Sequence, residues 1–357
     1  MMKVLDEAHG KNWSLFNADC VQAIAGIPDA SVGLSVWSPP FENMFTYSSS
    51  IADMGNCQDG AEFSEHFRFL IPELLRVTKP GRLAIVHCKD ILASKAHHGY
   101  MGLKDFPATI GQIFTESGWT YHSRVTVWKD PVMEMQRTKN AGLLYKQVCK
   151  DSCTSRQGTP DYLMVFRNQQ GDYANPVQVD GERFDRYIGM EPPDCDEEIW
   201  GWKNGDRVRP AGYFAVHQRD GKWPIANPFE RGSEANRVWS IAVWQRYASP
   251  VWMDIDQTDV MNVRLGRAEG DERHLCPIQL QVVDRCIHLW SNPGDVVFSP
   301  FAGIGSEPYA AVRAGRYGIG MELKPEYFKQ AAKFLRGLES EMGRPTMFDE
   351  VPELAMV

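Results

Sequence analysis

The sequence predicts an α/β fold built on a parallel, doubly wound sheet, and three observations predict it. Apolar, strand-like runs alternate with helix-periodic segments along most of the 357 residues. Two of those runs end in distinctive turns, Ser38-Pro39-Pro40-Phe41 and Ser299-Pro300-Phe301-Ala302-Gly303-Ile304-Gly305. The C-terminal ends of strands are also where open α/β sheets bind ligands, so turns of this kind fall where a site is expected.

Taken in order, Asn12 to Asn17 reads as a short strand, Cys20 to Ala25 as the start of a helix, and Val32 to Trp37 as a buried strand. Glu62 to Val77 has helical spacing of Phe63, Phe67, Leu70 and Leu74, closes at Lys79-Pro80-Gly81, and leads into the apolar strand Arg82 to His87. Helix and strand follow again through Ile110 to Ser117 and Tyr121 to Trp128, and Tyr162 to Phe166 is strand-like. Between residues 168 and 270 the periodicity disappears, and six of the chain's 11 Trp are interleaved with Arg. Regular signals return with Pro277 to Trp290 as helix, Asp295 to Phe298 as strand, Pro308 to Ala314 as helix and Tyr317 to Met321 as strand. A last amphipathic helix runs from Pro325 to Met342, with Pro in its first turn and Gly343 beyond it.

Composition narrows the function classes. A hydrophobic fraction of 43% supports a large core, and a net charge of −8 speaks against indiscriminate polyanion binding while leaving room for one basic cleft. No stretch approaches the roughly 20 apolar residues that span a bilayer, and Met1 to Glu7 lacks the apolar run of a signal peptide, so a cytoplasmic protein with no membrane partner is expected. The eight Cys form no Cys-x-x-Cys pair and read as free thiols. His87, His97, His98, His122 and His217 show no metal spacing and read as core or surface residues, so no metal site is expected.

The two turns carry the chemistry. Pro39 and Pro40 cannot donate backbone hydrogen bonds and fix their own φ, so the turn is stiff and presents carbonyl acceptors, which suit an exocyclic amino group. Gly303 and Gly305 allow close approach of a ligand to the backbone, and Glu322, at the end of the next strand, is placed to accept from ribose hydroxyls. There is no third glycine of a dinucleotide fingerprint and no Gly-Lys-Ser/Thr for phosphates, so a ribose-bearing cofactor without pyrophosphate, S-adenosylmethionine, fits best.

Together these motifs, in this order, resemble the β-group DNA amino-methyltransferases, and Thr46-Tyr47-Ser48 with Ser249 to Ile255 resemble the solitary enzymes of phages and prophages. The resemblance implies a Rossmann-like S-adenosylmethionine-dependent methyltransferase fold with circularly permuted motif order and an inserted target-recognition region. Residues 1–167 then form the first part of the catalytic domain with the target-base pocket, 168–270 the recognition region, 271–343 the second part with the cofactor site, and 344–357 a tail. It further implies that Ser38 and the Pro39 carbonyl accept from the target amine beside Pro40, and that Phe41 stacks on the flipped base. Ser299, Pro300, Phe301, Gly303 and Gly305 would line the methionine and ribose, Glu322 would hold the ribose, and Asp19 would bind the cofactor's adenine amine. His274, Cys276, Pro277 and Gln279 would close over the methionine end.

Ser299 stands where the family has Asp, leaving Asp295 or a backbone group to meet the methionine ammonium. Ser38 stands where adenine enzymes often have Asp. Adenine N6 is the favoured target, with cytosine N4 as the alternative and a catalytically silent DNA-binding regulator as the non-enzymatic one. Double-stranded DNA is the expected substrate, a homodimer the expected assembly, and a cognate restriction endonuclease a candidate partner.

Overall fold

The computed structural model describes residues 4–40, 53–57, 60–93, 95, 99–138, 145–153, 157–171, 174–178, 188–189, 201–203, 206–208, 243–262 and 278–343. In chain order the elements are strand β1 (Val4–His9), β2 (Trp13–Ala18), helix α1 (Cys20–Ala23), β3 (Val32–Trp37), α2 (Gly60–Val77), β4 (Thr78–Cys88), β5 (Ile91–Ala93) and β6 (Gly102–Lys104). They continue with α3 (Phe106–Glu116), β7 (Thr120–Val127), α4 (Pro131–Thr138), α5 (Tyr145–Lys150), β8 (Asp161–Arg167), β9 (Gly201–Lys203), β10 (Asp206–Val208) and β11 (Val251–Trp252). The last are α6 (Leu280–Trp290), β12 (Val296–Ser299), α7 (Ser306–Arg313), β13 (Tyr317–Glu322) and α8 (Pro325–Met342).

Nine strands form one sheet in the order β1-β2-β13-β12-β3-β4-β8-β7-β11. Side chains alternate across it. Trp37, Ala84, Val86, Met164 and Phe166 join one cluster with Phe63, Phe67 and Leu70 of α2 and Phe106, Ile110 and Phe114 of α3. Leu34, Val36, Ile85, Leu163 and Val165 face the other way, onto Val282, Val283, Cys286 and Ile287 of α6 and Ala310 and Ala311 of α7. The sheet is therefore wound on both faces, as the continuous apolar runs of β3 and β4 require. Each fully buried large apolar side chain in these layers contributes roughly 1.5–3 kcal/mol.

The sheet departs from the all-parallel expectation at two strands. β1 pairs antiparallel with β2 at the margin, and β8 runs antiparallel to both of its neighbours, β4 and β7. Asp161, the first residue of β8, lies opposite Val127, the last of β7, so the chain re-enters the sheet at the edge where it left. A right-handed crossover would have returned it to the far edge.

Part of the segment read as a recognition insertion belongs to this core. Val251 and Trp252 pair parallel with Thr126 and Val127, and Trp252 and Ile255 are buried against the sheet. Arg285 of α6 ties the segment down. Its side chain is fully buried, its guanidinium meets both carboxylate oxygens of Asp254 at 3.0 and 3.1 Å and the Ile188 carbonyl, and it lies 4.7 and 4.8 Å from the rings of Tyr247 and Trp252. Among the described residues no helix is long and apolar enough to cross a membrane.

Removal of this guanidinium strands Asp254 in the interior. Arg285→Ala should lower unfolding free energy in urea by about 3–5 kcal/mol. Lys at this position should recover little, because it cannot fork onto both oxygens or stack between two rings. A loss below about 1 kcal/mol would show that Arg285 is not the tie.

Candidate active site

Four neighbouring parallel strands, β2, β13, β12 and β3, end at one edge, and each delivers a residue singled out by the sequence. Asp19 follows β2, Glu322 closes β13, Ser299 closes β12 and Ser38 follows β3. The proline turn and the glycine turn, far apart in sequence, are thereby separated only by the gap between adjacent strands. An aromatic contact joins them: Phe301 lies 5.4 Å from Trp37, ring centre to ring centre. Pro39 and Pro40 are buried and Ser38 is half-buried at the rim.

The glycine turn is shaped by two different demands. Gly305 has φ +89°, and a Cβ there would sit 2.9 Å from the Ala331 Cβ, so only glycine lets α7 start this close to α8. Gly303 has φ +53° and faces open space, and its N–H donates to Glu322 Oε2 at 2.8 Å. Glu322 Oε1 accepts from the Lys324 N–H at 2.7 Å. Each carboxylate oxygen has a second lone pair, so Glu322 can still accept two further donors.

Carboxyl groups crowd this edge. Burial raises the Glu322 carboxyl to about 7 against the two N–H donors, with Asp53 adding to the rise. Burial raises Glu307, in the first turn of α7, to about 8, opposed by its own backbone N–H, and Glu322 adds to the rise. Asp19 and Glu322 both act on the buried Cys20 thiol, which burial pushes well up. Asp19 caps α1 by accepting from the Val21 N–H, and its other oxygen accepts from Gln22 Nε2, both at 3.0 Å. Two predicted residues carry buried polar atoms without a partner among the described residues, Ser299 Oγ and Gln279 Oε1. Such atoms are costly unless something meets them.

Asp295 does not stand in for the missing Asp at position 299. It starts the opposite end of β12, where Arg82 and Lys79 hold its two oxygens at 2.7 and 3.2 Å. Phe41, His274, Cys276 and Pro277 lie outside the described residues.

Ser38 has a set of partners that sequence reasoning missed. Its Oγ is 2.8 Å from His87 Nδ1, His87 Nε2 is 3.0 Å from Asp161 Oδ2, and Lys129 Nζ is 2.6 Å from the same oxygen. Burial works against the Asp161 charge, yet His87 and Lys129, with Lys89 beyond, hold this carboxyl well below the usual carboxylate range. His87 is 8% exposed and so belongs to the interior of the site. Asp53 was also missed. Its only local mark is the Asp-x-Gly turn in which it accepts from the Gly55 N–H at 2.9 Å.

The family model of the DNA methylases matches residues 32–333. Among curated proteins, the chain is similar to the type II methyltransferase M.BglI of Bacillus subtilis, 23% identical over 338 residues that cover 90% of this chain and 85% of that protein. It is also similar to the orphan methyltransferase M.BamHII of Bacillus amyloliquefaciens, 21% identical over 84% of this chain and 87% of that protein. Among solved structures, the cytosine-N4-specific PvuII DNA methyltransferase shares the fold with a TM-score of 0.55 at 13% identity, covering 91% of this chain and 86% of that one. A DNA modification methylase of Thermus thermophilus, TTHA0409, complexed with S-adenosyl-L-methionine, shares it with a TM-score of 0.54 at 19% identity, covering 90% and 92%.

The raised Glu307 carboxyl has a consequence for stability. The folded chain holds this proton up to about pH 8, whereas the unfolded chain releases it near 4.5, so its contribution is present in acid and lost as pH rises through that window. Glu307→Gln should match the parent protein near pH 4.5 and become the more stable of the two towards pH 8, by up to about 1.4 kcal/mol per pH unit. A difference that does not change with pH in denaturation curves would contradict the buried, proton-holding state.

Proposed function

Since the chain belongs to the DNA methylase family, and is thus an S-adenosylmethionine-dependent DNA amino-methyltransferase, we propose that it methylates the N6 amine of an adenine flipped out of duplex DNA. The observation that supports this most is the placement of the Ser38 acceptor and the glycine turn on adjacent strand ends, bridged by the Trp37–Phe301 contact.

The residues present fit the cofactor. The open space at Gly303, the spare lone pairs of Glu322, and the unpartnered Ser299 Oγ and Gln279 Oε1 are groups that a ribose and an amino-acid end would meet. The carboxyls of Glu322, Glu307, Asp53 and Asp19 suit a ligand that carries positive charge. When bound, the cofactor supplies a methyl group on a sulfonium, open to attack by a nucleophile.

In this reading Glu322 accepts from the ribose hydroxyls, Asp19 from the cofactor's adenine amine, and Phe301 with Gly303 and Gly305 shapes the floor. Ser299 and Gln279, with His274, Cys276 and Pro277, serve the methionine end. Ser38 Oγ and the Pro39 carbonyl accept the two protons of the target amine. An amine on an aromatic ring has its lone pair spread into the ring, and hydrogen bonds to its protons draw the nitrogen towards a tetrahedral shape with a lone pair free to attack. Pro40 stiffens the turn, and Phe41 stacks on the base.

Residues 168–242, rich in Trp and Arg, are proposed to read the DNA sequence, because 243–262 are committed to the catalytic sheet. The resemblance to β-group enzymes supports a homodimer and keeps a cognate restriction endonuclease as a candidate partner. Cytosine N4 is the second reading, favoured by Ser38 in place of Asp.

Incubation with S-adenosylmethionine and unmethylated genomic DNA, followed by digestion and mass spectrometry of the nucleosides, should yield N6-methyladenine. N4-methylcytosine would replace the base assignment, and neither product alongside calorimetric cofactor binding would favour the silent DNA binder. Glu322→Ala should raise the Kd for S-adenosylmethionine roughly tenfold or more, as expected for lost hydrogen bonds to a charged acceptor. An unchanged affinity removes Glu322 from the cofactor site.

A further inference from the structure

We propose that His87, oriented by Asp161, fixes Ser38 as a hydrogen-bond acceptor in the target pocket and takes up the Ser38 proton when the methylated amine must lose one. This rests on the assignment of Ser38 to the target amine.

A serine hydroxyl can donate as well as accept, and a proton turned into the pocket would oppose the protons of the incoming amine. The three-residue chain removes that freedom. Asp161 is ionised and can only accept, so the His87 nitrogen 3.0 Å from it, Nε2, carries the ring proton. The neutral imidazole then has a bare Nδ1, and Ser38 Oγ, 2.8 Å away, donates to it. Both lone pairs of Oγ are left for the pocket. An aspartate would accept without help, whereas serine needs this support behind it.

The same chain provides an exit for a proton. After the amine nitrogen has formed its bond to the methyl carbon it bears a positive charge and one proton too many. Its N–H bond breaks as a new bond to Ser38 Oγ forms, and the original Ser38 O–H bond breaks as Nδ1–H forms. The resulting imidazolium faces the Asp161 carboxylate, and its proton passes later to solvent. No group is oxidised or reduced.

The charged groups around His87 come from every neighbouring strand. Asp161 opens β8, Lys129 follows β7 and sits 2.6 Å from Asp161, and Lys89 follows β4, 3.9 Å from Glu134 of α4. Lys129 keeps Asp161 ionised between turnovers and disfavours a lasting imidazolium, so the proton is held only in passing. A His87 protonated beforehand would present Nδ1 as a donor, turn the Ser38 proton into the pocket, and stop turnover on the acid side.

The test separates orienting from proton uptake. Glutamine can copy the pattern, its oxygen accepting from Ser38 and its N–H donating to Asp161, but it cannot take a proton. His87→Ala should lower kcat about 100-fold, the low end for positioned acid–base groups, with the Kd for S-adenosylmethionine and the KM for DNA within about twofold. His87→Gln should recover about tenfold of that loss, with an acid limb of kcat no longer visible. A His87→Ala variant with near-parental kcat, a loss confined to KM or Kd, or a glutamine variant that keeps the acid limb would each overturn the proposal. If His87→Ala fails to fold by circular dichroism, the pH profile of His87→Gln decides alone. Ser38→Ala run in parallel keeps the two ideas apart: full activity in that variant refutes the assignment of Ser38, whereas an inactive Ser38→Ala beside fully active His87 variants refutes only the relay.

Discussion

Strand direction is the constraint on which the site depends. Side chains at the ends of β2, β13, β12 and β3 can serve one ligand pair only because these strands run the same way and all end at one edge. The antiparallel strand β8 extends the same logic. Because it is reversed, its first residue reaches the edge where its neighbours finish, and Asp161 arrives behind His87 there. A parallel β8 would have placed Asp161 at the far side, where Asp295 is already held by Arg82 and Lys79. The two aspartates do opposite work at opposite edges, one locking strands together and one serving the rim of the pocket.

Packing then turns proximity into geometry. Trp37 precedes Ser38 and is fully buried among Phe67, Phe114 and Phe301, so the end of β3 cannot rotate without disturbing the core. Phe301 belongs to the glycine turn, and hence any displacement of one motif is felt by the other. Gly305 makes the matching adjustment on the far side, where contact with Ala331 fixes the start of α7 against α8.

Much of this was legible in the sequence because the signals are local. The apolar run of β3, the proline turn, the Gly303-Ile304-Gly305 turn and the caps of α8 each lie within a few residues, and the structure has elements at those places. β1 escaped notice because most of its side chains are exposed and carry no apolar pattern, and β11 because two residues cannot show a period. The Ser38–His87–Asp161 chain was illegible for another reason. His87 and Asp161 are 74 residues apart, and their contact depends on the register Val127 to Asp161 and on the reversal of β8. Alternating helices and strands suggest parallel order and say nothing of a single reversed strand.

The edge also shows why a carboxyl group has no fixed chemistry of its own. Asp161 and Glu307 are both buried, yet one is held far below and the other far above its ordinary range. Asp161 has Lys129 and His87 against it, so burial strengthens attraction that already favours the anion. Glu307 and Glu322 have other carboxyls for neighbours, and burial strengthens repulsion instead. The first arrangement is complete within the protein and suits a permanent orienting role. The second is unbalanced until a cation arrives, and a ligand that bears a sulfonium and an ammonium is the kind that would balance it, drawing the protons off these carboxyls as it binds. One edge thus holds a finished charge network under the target amine and an unfinished one under the methyl donor, which is the division of labour that transfer of a cationic cofactor's methyl group to a neutral amine requires.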